Sequence, residues 1–226
     1  GSLGATRLGF SRLDSGDLSA EGFYALDASQ VGSVINLGKA GAVGGKVSIQ
    51  NHIVGHDGIN FLAGSTGEGL ELGLTGTLET RQGDIRLNPV GDSVLLGSFI
   101  AAGRQADIVV NASRSIDIRG DLTADRDIII TAGQGYEAGV TSIYTHTSAQ
   151  FQSTGSSGKV RITGLNDVTI NSAIGQNNPG LTEIAITAEL GTLTLAQEGG
   201  NLETAGQLTL KGDNVDLQGV LTSTRA

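Results

Sequence analysis

The chain has 226 residues, a formal net charge of −9 and no cysteine. This excludes disulfides, thiolate metal sites and thiol nucleophiles, and gives a field that disfavours phosphate backbones and anionic membrane surfaces. Gly is 36 of 226 with only 2 Pro, which excludes a Pro/Gly linker, and aromatic content is 4% with no Trp or Met, so a core must be built from Ile, Leu, Val and Ala.

Gly1 and Ser2 read as a cloning remnant, and the chain as an excised piece of a longer one. The opening GSLGATRLGF lacks the apolar run of a signal peptide. Residues 1–33 show no period that holds: Leu8, Phe10, Phe23, Tyr24 and Leu26 seed at most one or two strands, and the segment is expected to be an irregular leader. No run approaches the roughly 18 consecutive apolar residues of a membrane span, so no membrane insertion is expected.

From Ile35 one phrase recurs: an apolar pair at i and i+2, a short polar gap, a second such pair, then a lone apolar residue. It is plainest in KVRITGLNDVTINSAIGQ (159–176), as Val160/Ile162, Val168/Ile170 and Ile174. Earlier units read Ile35/Leu37, Val47/Ile49, Ile53; then Ile59/Phe61, Leu72/Leu74, Leu78; then Ile85/Leu87, Val94/Leu96, Ile100; then Ile108/Val110, Ile116/Ile118, Leu122. Later units read Ile184/Ile186, Leu193/Leu195, Leu202 and Leu208/Leu210, Val215/Leu217, Leu221. Unit starts recur at intervals of about 24 residues, stretched to 32 between Ile128 and Val160.

Each pair has the period of a strand, and Gly, Asn, Asp and Ser between pairs accept turn conformations. Three short strands per unit of this length, repeated in series, predict an all-β fold. We expect a right-handed parallel β-helix of about eight triangular coils, forming one domain over 34–226. Stacking then makes columns such as Ile108, Ile128, Val160, Ile184 and Leu208, and Ile118, Ile170, Leu195 and Leu217. An antiparallel sandwich also uses short alternating strands, but does not call for a three-part phrase at a fixed period.

The stretched unit suggests an insertion at about 131–158. It carries Tyr136, Tyr144, His146 and Phe151, and a long alternation from Ile143 through Thr145, Thr147 and Ala149 to Phe151. Insertions in repeat proteins map to one face, often the binding face, and exposed aromatics favour contact, so these four are the candidate binding residues. The competing reading is a longer coil or hairpin whose aromatics pack against the helix.

No catalytic constellation emerges. Asp84, Asp107, Asp127 and Glu183 each precede the first apolar residue of a unit, with Lys159 in the same place. Stacking puts Asp107 and Asp127 on adjacent coils, as a carboxylate pair, a cation site or solvated turn caps. His52, His56 and Asp57 form either a surface metal site or a polar turn. GKAGAVGG (38–45) lacks the strand–loop–helix setting and Lys-Ser/Thr ending of a phosphate loop. The Thr pairs 145/147 and 192/194 are too scattered for a flat ice-binding ladder. Neither a basic patch nor an aromatic platform points to nucleic acid. No metal and no cofactor is expected.

The segments DVTINSAIG (167–175), RSIDIRGDLTADRDIIITAG (114–133) and QLTLKGDNVDLQGVLTS (207–223) resemble the repeat regions of filamentous haemagglutinin-like large exoproteins. These are β-helical adhesins exported by two-partner secretion, and the resemblance covers about 31–226. It implies a bacterial extracellular or outer-surface location, an outer-membrane transporter as export partner, and attachment to a host or neighbouring-cell receptor or glycan. It carries over no functional residue, and the family's N-terminal secretion domain with its Asn-rich motifs is not evident. The functional expectation is a non-catalytic adhesin stalk, with binding, if any, through 131–158. The alternative is a carbohydrate-active β-helix enzyme, a polysaccharide lyase or a glycoside hydrolase; such enzymes need facing carboxylates or clustered acids beside a basic residue.

Overall fold

A strand with apolar residues only at alternate positions buries one face and leaves both edges open, so it needs a like strand on each side and a core beneath. The computed structural model describes residues 7–10, 18–19, 26–28, 31, 34–38, 47–49, 52–62, 70–72, 76–89, 93–95, 97–101, 103–134, 140–178 and 180–223. They form a β-solenoid of three parallel sheets, each of nine strands and each taking every third strand in chain order. No helix occurs among the described residues. All pairings are parallel, which rules out the sandwich. One complete coil runs through Asp127–Ala132 in the first sheet, Ile143–Thr145 in the second and Gln150–Ser153 in the third.

Among the described residues the eight coils expected from Ile35 onward are present, and a ninth precedes them. Within 1–33, Arg7–Phe10, Leu18–Ser19 and Leu26–Ala28 pair in register with Val34–Gly38, Val47–Ile49 and His52–Gly55.

The columns follow the sequence phrase. Ile35, Ile59, Ile85, Ile108, Ile128, Val160, Ile184 and Leu208 are successive register partners in the first sheet. All but Leu208 are completely buried. Burying a side chain of this size stabilises by roughly 1.5–3 kcal/mol, so the column supplies a large share of the driving force. At the coil corner beside it, Ala112, Ala132, Gly164 and Ala188 stack where only small residues fit.

Three readings of the register are corrected. Phe99, not Ile100, joins Leu78 and Leu122 in the third-sheet column, and it is completely buried. Leu72 stands opposite Ile49 as the second member of its pair, with Leu70 opposite Val47 as the first. Ser93, not Val94, aligns with Ile116, and Leu95 aligns with Ile118. Positions 74 and 96 of the expected pairs, and most of the 38–45 glycine run, lie outside the described residues.

The stretch expected as an insertion contains two strands of a regular coil. Ile143 pairs with Ile116 and Val168, and Phe151 pairs with Leu122 and Ile174. The extra length falls in the connection from Ala132 to Ile143, of which 135–139 lie outside the described residues. The long alternation is also interrupted. It divides into Ile143–Thr145 and Gln150–Ser153, joined by a turn in which the Ala149 N–H donates to the His146 carbonyl.

Thr145 occupies the place of an aliphatic residue between Ile118 and Ile170. It is completely buried, and its hydroxyl is satisfied there. The Asn171 and Ser172 N–H groups donate to Oγ1 at 3.0 and 3.2 Å, and Ser172 Oγ lies 2.8 Å away.

Ile170→Asp would place an unpaired carboxylate inside this column, and the protein is expected not to fold, read as loss of the strand signal in circular dichroism. Phe151→Ala should lower the unfolding free energy by about 3–5 kcal/mol in urea titration. Tyr144→Ala should stay within about 0.5 kcal/mol. Equal losses at the two positions would contradict the register.

Candidate functional site

Outward positions of a parallel strand also stack, so surface chemistry in this fold comes as rows running along the solenoid axis. Three regions carry such chemistry.

The first is the row of residues that enter the first sheet. In three successive coils the N–H just before the first inward residue needs an acceptor, and the acid on the coil before supplies it. The Asp107 N–H donates to Asp84 Oδ1 at 2.8 Å, the Asp127 N–H to Asp107 Oδ1 at 3.0 Å, and the Lys159 N–H to Asp127 Oδ1 at 3.1 Å. The same device enters the other sheets. Asp167 accepts from the Thr192 N–H at 2.7 Å, Asp121 from Gln150 at 3.0 Å, and Asn201 from Val220 at 3.1 Å. These acids cap the next coil rather than their own turn.

Asp107, 5% exposed, is also held two-pronged by the Arg126 guanidinium, through Nε to Oδ1 at 2.8 Å and Nη2 to Oδ2. The Asp107 carboxylate is therefore taken up by the Asp127 backbone N–H and the Arg126 guanidinium. Burial pushes the Asp127 carboxyl above its usual range, with the Asp107 charge adding to the shift. Two coils on, Arg161 binds Glu183 at 2.8 and 3.2 Å and Lys159 Nζ stands 3.4 Å from it. Hydrogen bonding by Arg161 holds the Glu183 carboxyl below its usual range.

The second region holds the sequence candidates. Tyr144 lies on the outer row of the second sheet between Asp117 and Thr169, 40% exposed, with its ring edge-on to His146 at a centroid distance of 6.4 Å. Arg119 pairs with Asp117 Oδ2 at 2.6 Å beside them, leaving Asp117 Oδ1 buried without a partner among the described residues. Phe151 belongs to a different sheet and points inward, completely buried, so it offers nothing to a ligand. Tyr136 lies outside the described residues. Of the four candidates, the structure brings together Tyr144 and His146.

The third region was not singled out by the sequence. A hollow of about 420 Å³ opens on the outer side of the third sheet. Gln150, Gln152, Ser153 and Thr154 form one wall, and Gln176, Asn177 and Asn178 the other. The available signal was QFQS, where both neighbours of a buried Phe are amides, followed a coil later by QNN. The second wall is shaped by a tight turn. Gly175 has φ 75°, and a Cβ there would stand 2.1 Å from the Glu203 carbonyl oxygen; Asn177 has φ 58°. The Asn177 N–H donates to Glu203 Oε2 at 3.2 Å, tying the turn to the next coil.

The histidines are separated. His52 Nε2 lies 3.0 Å from Glu79 Oε2, and His56 Nδ1 pairs with Asp57. Among the described residues no group of three or more His, Asp or Glu side chains is placed to hold a metal ion.

No protein-family model matches the chain, and no curated protein or solved structure shows significant similarity to it.

The two carboxyl shifts predict opposite responses. Asp127, with its folded pKa raised, is relieved as pH falls and costs stability above the ordinary carboxylate range. Asp127→Asn keeps the Oδ1 acceptor, so its melting temperature at pH 7 should equal or exceed that of the parent, the difference vanishing below about pH 4. Glu183, with its folded pKa lowered, stabilises above that range and loses this as pH falls through the folded value. Arg161→Ala should lower the melting temperature at pH 7, with a smaller loss below about pH 4. Reversed signs in thermal scans would contradict the assignments.

Proposed function

We infer that this chain is a non-catalytic segment of a secreted or surface-exposed bacterial adhesin, a β-helical stalk that holds or presents attachment surfaces. The observation that carries the reading is the stacking of nine coils among the described residues, each strand beside its counterpart on the neighbouring coil. Eight strand spacings of about 4.8 Å make a rod roughly 38 Å long from a modest length of chain. Every coil stiffens its neighbours, because each strand between the ends is paired on both edges. A rod assembled by local stacking suits a role at a distance from a cell.

The likeness of DVTINSAIG and its companion segments to haemagglutinin-like exoproteins supports the same reading. It supplies the proposed export through an outer-membrane transporter and a receptor or glycan on a host or neighbouring cell as target. Absence of cysteine agrees with passage across an outer membrane as an unfolded chain. The charge of −9 favours a solvated surface over nucleic-acid or membrane contact.

Antibody raised against the purified chain should label intact cells of the source bacterium or its culture medium, and deletion of the coding region should reduce surface attachment. Label found only after lysis, attachment unchanged by deletion, or release of new reducing or unsaturated ends from a polysaccharide by the purified chain would each overturn this function.

A further inference from the structure

The hollow on the third sheet carries chemistry that points to one ligand class. Its lining side chains are all neutral, although the chain as a whole carries −9. Four coils contribute to it and its continuation. A second hollow, of about 180 Å³, shares Gln176 and runs on past Asn201, Leu202 and Glu203 to Val220 and Thr222. Along the axis, three strand spacings of about 4.8 Å give a groove of roughly 14 Å.

Much of the lining's hydrogen-bonding capacity is unspent. Gln152 Nε2 donates to Gln150 Oε1 at 3.2 Å, and Asn178 Oδ1 accepts from the Gly180 N–H at 3.1 Å. The side-chain amides of Gln176 and Asn177 take no intramolecular hydrogen bond among the described residues. Amides both donate and accept, as do hydroxyl groups. A phosphate or carboxylate ligand would meet no cation in this lining, and would meet the Glu203 carboxylate at its far end. An extended peptide gains most by adding to the edge of a sheet, but the strand Gln150–Ser153 lies inside the third sheet, with a neighbouring strand on either side. Val220, 63% exposed, adds one apolar surface against which the C–H face of a sugar ring can lie.

We propose that this groove binds a linear neutral oligosaccharide of about three units along the solenoid axis, since the strand spacing of about 4.8 Å is close to the length of one pyranose in an extended chain. The proposal builds on the attachment reading above and replaces Tyr144 with Gln152 and Gln176 as the contact residues.

The test is saturation-transfer NMR and calorimetry on the whole chain with cellotetraose, laminaritetraose, chitotetraose and mannotetraose, against tetragalacturonate and a nonapeptide of repeated Gly-Ser-Asn. At least one neutral tetrasaccharide should bind. Gln152→Ala with Gln176→Ala should weaken it about tenfold or more, as two lost hydrogen bonds imply, with an unchanged melting temperature; Asn177→Gly, which keeps the backbone conformation, should weaken it too. Tyr144→Ala should leave binding as it was. Binding by none of the four, tighter binding of tetragalacturonate or the peptide, or affinity unaffected by the double variant would overturn the proposal. The two readings fail separately. Saccharide binding with attachment unaffected by deletion sinks the adhesin role alone, and lost attachment without saccharide binding sinks the groove alone.

Discussion

Parallel in-register pairing puts each inward side chain directly above its counterpart on the previous coil, about 4.8 Å away. Each inward position must therefore suit two neighbours of its own kind, and the tolerated residues are few. Ile, Leu and Val stack well, as they do from Ile35 to Ile184. The narrow corners admit Ala and Gly. A phenylalanine fits the third-sheet column at Phe99 and Phe151, with Leu122 between them. With few aromatic residues available, the core gains its stability from repetition of small contacts rather than from a few large ones.

The same rule orders the polar groups. A coil corner leaves an N–H facing the coil before it, and Asp or Asn at that point supplies an oxygen. Asp84, Asp107, Asp121, Asp127, Asp167 and Asn201 all do so. Acid rows that would look like chemistry in another fold are thus part of the stacking, and arginines such as Arg126 and Arg161 offset the charge that accumulates. Surface that does not serve the stack is confined to outer rows and to turns between strands. The amide groove arises there, where Gly175 and Asn177 bend the chain outward over the third sheet.

Fold class and the first-sheet column were legible in the sequence because alternation and period reinforce each other, and the unit starts from Ile35 to Leu208 all stand in register. Legibility failed where one inward residue was not aliphatic. Thr145 and Phe151 kept the period while breaking the phrase, so a regular coil read as an insertion. At Ile100 an apolar residue on the outer row sat beside the true inward one, and at Val94 an apolar residue sat beside the one that aligns with Ile118; alternation alone does not choose between them. The leading coil was obscured because Leu18–Ser19 and Leu26–Ala28 each carry a single large apolar residue, so no second pair completes the phrase. Of the candidate site, Tyr144 was legible as an exposed aromatic, whereas the groove joins residues from four coils and is visible only once register is known.

Stacking in register is the claim on which the rest stands, and pulsed electron–electron resonance can measure it, because a chain without native cysteine accepts labels only where they are placed. Asn60, Arg86 and Thr209 lie on one outer row of the first sheet. Labels at 86 and 209 should report about 24 Å and labels at 60 and 209 about 29 Å, one strand spacing more. Distances that fail to grow by a single spacing, or that bring Asn60 closer to Thr209 than Arg86 is, would contradict the solenoid and everything built on it.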